Sequence, residues 1–207
     1  MSDSALILLG AGGHAKVLAD LINACGERIL GVCDPQLAQS GASHWRELAI
    51  LGDDRAVFGF EPNQVQLVNG LGGPGRNAVM QQFAAKGYRF ATLVHPRAVI
   101  GSGVELGEGV QIMAGAIVQA DTAIGAHCII NTGAQIDHDG RLGRDVHLAP
   151  SAVLAGDVTL GDGVFVGPGA VIGRGVTVGD RAVIGAGTTV LKSLPAKARA
   201  LGNGRPV

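Results

Sequence analysis

From Val94 to Val190 every sixth residue is Ile, Leu or Val, seventeen times in a row without a slip. These three residue types make up about a quarter of the chain, so composition alone cannot produce the run. A strict period of six is the signature of a parallel β-helix: short strands on three faces, about 18 residues per coil, each coil burying its neighbour's apolar edge. The position four residues after each aliphatic agrees. Twelve of the seventeen are Ala or Val, and the others are Thr122, Cys128, Gly140, Thr188 and Leu194. Large and small apolar residues therefore alternate into a narrow interior. Gly follows the aliphatic nine times, where the chain must turn tightly.

A chain of 207 residues with 34 Gly and only 3% aromatics suits a solenoid better than an ordinary globule with a Phe- and Trp-filled core. The net charge of −1 and the lack of any basic run point away from nucleic acid and from an anionic membrane surface. Cys25, Cys33 and Cys128 are odd in number and irregularly spaced, which suits reduced thiols better than a disulfide frame or a metal site. No apolar stretch is long enough to span a bilayer, and Met1-Ser2-Asp3-Ser4 is not the start of a signal peptide. The expectation is a soluble, cytoplasmic protein.

The first ninety or so residues obey other rules. Ala5–Leu9 is a short apolar run that ends in Gly10-Ala11-Gly12-Gly13-His14-Ala15. Val17, Leu18, Leu21 and Ile22 then recur at helical spacing, with Gly26 as a stop. Arg28–Cys33 is a second apolar run closed by Asp34-Pro35, and Gln66–Val68 a third that ends in Asn69-Gly70. A helix from Asn77 to Lys86 leads into an apolar segment over Tyr88–Val94. Strand, helix, strand, then helix and strand make a parallel α/β unit, expected over residues 1–93, with the β-helix over 94–207.

The loop from Gly10 to Ala15 fits G-x-G-x-x-A between a strand and a helix, and Asp34 ends the next strand. That is the Rossmann fingerprint: glycines let the backbone approach a pyrophosphate at a helix N-terminus, and an acid reaches the ribose hydroxyls. A full dinucleotide fold needs two such halves, so this half suits a nucleoside diphosphate and argues against nicotinamide chemistry. Glycines serving only a tight turn are the competing explanation. His14 inside the loop favours ligand contact.

In the β-helix, His138 lies outside both inward positions, in Ile136-Asp137-His138-Asp139. A His beside a carboxylate is a general-base arrangement, and a solvated turn is its bland counterpart. His147 also points outward, nine residues later. His95 and His127 are outward with no acid after them and read as peripheral, while Cys128 falls on a small inward position and reads as core.

Gly10-Ala11-Gly12-Gly13-His14, Asn131-Thr132-Gly133-Ala134, Ile136-Asp137-His138-Asp139 and Val146-His147-Leu148-Ala149-Pro150 together give the chain a recognisable cast. It resembles, over nearly its whole length, the bacterial sugar acyltransferases that join a small nucleotide-binding domain to a left-handed hexapeptide-repeat β-helix. The nearest kinds are N-acetyltransferases of nucleotide-linked 4-amino-deoxy sugars and sialic acid O-acetyltransferase-like proteins. The resemblance implies a Rossmann-like α/β half domain followed by an all-β left-handed β-helix. It implies acetyl-CoA as co-substrate, no metal, a UDP- or GDP-linked amino sugar as acceptor, a homotrimer, and a place in glycan or O-antigen assembly. It makes His138 the general base and Asp139 its supporting acid, and it sets His147, Gly167, Pro168, Gly185 and Ala186 against the cofactor. Gly12, Gly13 and His14 would hold the sugar nucleotide, with Asp34 toward base or ribose and Gly70 at the end of the third strand. O-acetylation of a sugar hydroxyl, a non-enzymatic nucleotide-binding scaffold and a nicotinamide-dependent oxidoreductase are the alternatives.

Overall fold

The computed structural model describes residues 5–71 and 76–202. The opening Met1–Ser4 and the tail beyond Gly202 lie outside the described residues. The chain forms two compact units, Met1–Ala91 and Thr92–Val207.

In the first unit β1 (Ala5–Leu9), α1 (Gly13–Ala24) and β2 (Ile29–Cys33) form the expected strand-helix-strand. They are followed by α2 (Pro35–Ser40), β3 (His44–Trp45), β4 (Leu48–Gly52), a 3-10 turn (Asp54–Gly59), β5 (Val65–Asn69), α3 (Arg76–Ala84) and β6 (Arg89–Phe90). The sheet order is β3-β4-β2-β1-β5-β6, parallel throughout except for the β3–β4 hairpin. β1 is buried at the centre because Leu6, Ile7, Leu8 and Leu9 are at most 2% exposed, which explains its unbroken apolar run. The elements between Asp34 and Gln64 escape sequence periodicity for a physical reason. α2 has six residues and buries none, and β4 is only half-buried, so neither shows a clean apolar face. The Tyr88–Val94 segment divides into two strands in different sheets: Arg89–Phe90 closes the α/β sheet, and Leu93–Val94 opens the β-helix.

The second unit is a stack of two-residue strands on three parallel sheets, the architecture of a left-handed β-helix. Face one runs from Leu93–Val94 through Ile129–Ile130 and His147–Leu148 to Arg199–Ala200; face two includes Gln135–Ile136; face three includes Arg141–Leu142. Pairing joins residues eighteen apart, as in Ile129 to His147 to Phe165, until the last coil, where Val183 pairs with Arg199 and Ile184 with Ala200, sixteen residues on. From Ile112 to Val190 every sixth residue is at most 5% exposed, as the pattern requires. Ile100 differs at 37%, and Val94 and Leu106 are half-buried, because the first coil has no earlier coil stacked on it.

Corner glycines answer two demands. A Cβ on Gly107 or Gly167 would stand 2.6 Å from the backbone nitrogen of Ala126 or Ala186, one coil on. The third corner position is left-handed instead, and there Gly alternates with Asp121, Asp139, Asp145 and Asp157, all near φ +60°. At the corner after face three, Asp162 and Asp180 accept the backbone N–H of Arg144 and Asp162 at 2.8 and 2.9 Å, binding coil to coil. Removing one inward aliphatic should be costly. Leu154→Ala is expected to lose about 2–5 kcal/mol, read as a lower denaturant midpoint for the β-helix transition.

Candidate functional site: a glycine-loop cleft and a histidine-bearing β-helix

In the first unit a cleft of about 560 Å³ is lined by Gly10–His14, Asp34–Leu37, Gly70 and Leu71. All five sequence-selected residues of the nucleotide region therefore meet in one place. Its glycines have different reasons to be there. Gly10 has φ +84°, and a Cβ on it would meet Leu71 at 2.7 Å. A Cβ on Gly70 would meet the Leu9 carbonyl at 2.6 Å and Ala15 Cβ at 3.0 Å. Packing thus explains Gly10 and Gly70. Gly12 and Gly13 would meet nothing within 4 Å, so packing does not explain them. Gly12 is the N-cap of α1 and offers no side-chain cap, so the first helical amides keep their capacity for an anion.

Asp34 does more structural work than the fingerprint suggests. Its Oδ2 accepts from the Ala11 amide at 3.0 Å, and its Oδ1 accepts from Gln36 and Leu37 N–H at 2.9 Å. One carboxylate therefore caps α2 and ties it to the glycine loop, with lone pairs left for a ligand on the cleft side. Cys33, next to it, is no nucleophile: burial first, then the charges of Asp54 and Asp53, push its thiol pKa up to about 12.

In the second unit His138 sits at the corner after face two, with Asp139 beside it in the left-handed position. His138 Nδ1 and Asp139 Oδ2 are 2.7 Å apart, and the His138 N–H donates to Asp137 Oδ1 at 2.8 Å. A carboxylate can only accept, so Nδ1 carries the proton and Nε2 presents a lone pair. The hydrogen bond to Asp139 and then the charge of Asp137 raise the imidazole pKa, against partial desolvation and Arg174. The side chain is 48% exposed, so a substrate can reach it.

His147 occupies the outward position of its strand on face one. Its Nε2 lies 3.4 Å from Asn131 Nδ2, and its ring meets Phe165 edge-on at 5.3 Å between centroids. Sequence reasoning gave no role to Asn131 or Phe165, although the eighteen-residue register aligns Phe165 with His147. Gly167-Pro168 and Gly185-Ala186 stack one coil apart at the corner that follows face one, so they share an edge with His147. Pro168 and Ala186 are exposed, whereas Gly167 is buried by the next coil. His138 is not brought to that edge: the corner between faces two and three lies opposite face one in a three-sided prism. Cys128 is fully buried with its S–H toward the Gly143 carbonyl at 3.1 Å, as its inward place predicts, and His95 Nδ1 accepts the Arg97 amide at 3.0 Å. Among the described residues, no cluster of His, Cys, Asp or Glu is arranged to hold a metal ion.

Comparison with known proteins agrees with the fold of both units. Residues 103–138, 139–174 and 157–192 match the bacterial transferase hexapeptide (six repeats) family, and residues 5–86 match the PglD N-terminal domain. The crystal structure of PerB from Caulobacter crescentus in complex with CoA and GDP-perosamine is similar over 99% of this chain and 97% of that one. It shows 35% identity and a TM-score of 0.91. The chain belongs to the hexapeptide-repeat acetyltransferases with a PglD-type N-terminal domain. The acetyltransferase domain of PglB from Neisseria gonorrhoeae FA1090, in complex with acetyl coenzyme A, is a second such relative. It is 30% identical over 99% of this chain and 100% of that one, with a TM-score of 0.92. The UDP-N-acetylbacillosamine N-acetyltransferase of Bacillus subtilis (strain 168) is 38% identical over 116 residues. That match takes in 52% of this chain and 50% of that protein, so it spans about half the length of the curated relative.

The family's glycine loop can be tested on its two kinds of glycine. Gly12→Val is expected to keep the melting temperature and to weaken UDP or GDP binding about tenfold, roughly 1.4 kcal/mol, by calorimetric titration. Gly10→Ala should instead lower the melting temperature, because it strains a left-handed residue against Leu71.

Proposed function

We propose that this protein is an acetyl-CoA-dependent N-acetyltransferase acting on the 4-amino group of a UDP- or GDP-linked amino-deoxy sugar. The observation that carries the proposal is the 2.7 Å His138–Asp139 pair on a hexapeptide β-helix attached to a glycine-loop cleft. The bound CoA and GDP-perosamine of PerB, and the acetyl coenzyme A of the PglB domain, support the same chemistry here. Gly12, Gly13 and His14 hold the diphosphate, Asp34 faces the ribose or base, and Gly70 closes the cleft.

A thioester needs no activation, but an amine must lose a proton to form an amide. His138 Nε2 takes that proton as the nitrogen attacks the acetyl carbonyl and the C–N bond forms. Asp139 holds the imidazolium in place. As the C–S bond breaks, His138 returns the proton to the departing sulfur, leaving free CoA and the N-acetyl sugar. His147 lies against the acetyl end of the cofactor, with Gly167, Pro168, Gly185 and Ala186 along the same edge. A backbone N–H at a β-helix turn provides the oxyanion donor. No covalent enzyme intermediate is involved.

In this reading the active unit is a homotrimer with sites between β-helices. Face two turns Val99, Ile117, Val153 and Val171 outward together with Gln135 and Thr189, with Val99 57% exposed, while face three turns out Glu105, Ala123, Arg141, Thr159 and Thr177. An apolar face of this kind needs a cover, and a second copy of the chain supplies one. Because His138 and His147 lie on opposite sides of one prism, a site using both takes one from each of two subunits. Cys25, Cys33 and Cys128 form no disulfide, which suits a cytoplasmic setting. No helix among the described residues is long and apolar enough to cross a membrane.

His138→Ala is expected to lower kcat by about 10²–10⁴ with the fold intact, and Asp139→Asn to cost less. Because Asp139 raises the imidazole pKa, base is lost as pH falls through that raised value. Asp139→Asn should move this acidic limb of the pH profile to lower pH. Near-normal turnover of His138→Ala on amino-sugar nucleotides would refute the assignment, and acetylation of hydroxyl acceptors alone would favour O-transfer. Mixing His138→Ala with an inactive His147→Ala should restore part of the activity by subunit exchange; a fully active monomer in sedimentation would refute the shared site.

A further inference from the structure

We propose that Gly156 is a positioning residue for His138: its missing side chain makes the floor on which the imidazole lies, and so sets the ring against Asp139. The inference rests on the general-base reading of His138. Gly156 stands eighteen residues after His138, one coil on at the same corner, and the Asp157 amide donates to the His138 carbonyl at 2.9 Å. A Cβ built on Gly156 would lie 2.7 Å from both Cε1 and Nε2 of His138 and 3.3 Å from Cδ2. These are its three nearest atoms, and all belong to the imidazole.

The usual reasons for a corner glycine do not apply. Gly156 is not among the residues with positive φ, so its backbone admits any L-residue. Unlike Gly107 and Gly167, it has no backbone of the next coil pressed against the Cβ position. In the same column Ser102, Ala120, His138, Arg174 and Lys192 all bear side chains. The one glycine is the residue beneath the histidine.

A methyl at this position cannot coexist with the ring where it lies. At 48% exposed, His138 is free to swing outward, and doing so breaks its 2.7 Å bond to Asp139. The charges that face the ring are Asp137 and Asp139 from its own turn and Arg174 from two coils on. Losing the Asp139 bond lowers the imidazole pKa and takes Nε2 away from the amine. A displacement of about 1 Å at a reacting group can cost about a hundredfold in rate.

The test is Gly156→Ala in the full chain, with the His138 ring protons followed by NMR and identified by their absence from His138→Ala. The expected result is an unchanged melting temperature and a His138 titration moved to lower pH. In the same variant kcat should fall about 10- to 100-fold, with its acidic limb at lower pH, while KM for acetyl-CoA stays within about twofold. An unaltered His138 titration overturns the proposal, whether or not stability changes. If Gly156→Ala is destabilised by the ring, the double variant with His138→Ala should melt like His138→Ala alone; if it does not, the glycine serves the fold. Full activity of His138→Ala would refute the general-base reading, and the NMR titration would still decide whether Gly156 orients the ring.

Discussion

Parallel coil-on-coil pairing governs the β-helix half. With six residues on each of three faces, the residue eighteen positions on is the neighbour above in every coil but the last, about 4.8 Å away across the ladder. The inward aliphatics stack because of this spacing, and the corners are narrow because of it as well. Ile129, His147 and Phe165 become a column, as do His138, Gly156 and Arg174. Any functional group on this scaffold is held by the groups one coil before and one coil after it. The scaffold is rigid enough to place a histidine and small enough in cross-section to leave its corners open to solvent.

Glycine is used in two ways, to yield space to other atoms and to leave space open. In the α/β unit, Gly10 and Gly70 are glycines because other atoms fill the Cβ position, whereas Gly12 and Gly13 leave theirs empty at a helix N-terminus. In the β-helix, Gly167 yields its Cβ position to the backbone of the next coil. The electrostatics differ in the same way. Asp34 spends both oxygens on three backbone amides, while Asp139 has its proton-bearing partner in a half-exposed imidazole. The first carboxylate organises a loop, and the second tunes a base.

Much of this was legible in the sequence because the β-helix writes its period directly into the chain. The inward place of Cys128, the outward places of His138 and His147, and the cleft made by Gly10–His14 with Asp34 and Gly70 all follow from local pattern. The segment between Asp34 and Gln64 did not, since α2 is too short and too exposed to show periodicity and β4 is only half-buried. Phe165 carried no local signal, and Asn131 belonged to a recognised motif without a role, because each acquires its partner only through the stacking of coils.

The sequence by itself determined the architecture: period six demands three-faced coils, and a glycine loop between strand and helix demands a crossover with an open helix N-terminus. It also determined which histidines face outward, since side-chain direction is set by hexad position. Only the tertiary structure decided which glycines are compelled by packing and which are left open. It alone placed His147 against Asn131 and Phe165, set His138 at the corner opposite that face, and laid its ring over Gly156. Those relations depend on contacts sixteen to eighteen residues apart in the chain, and they exist only once one coil has closed upon another.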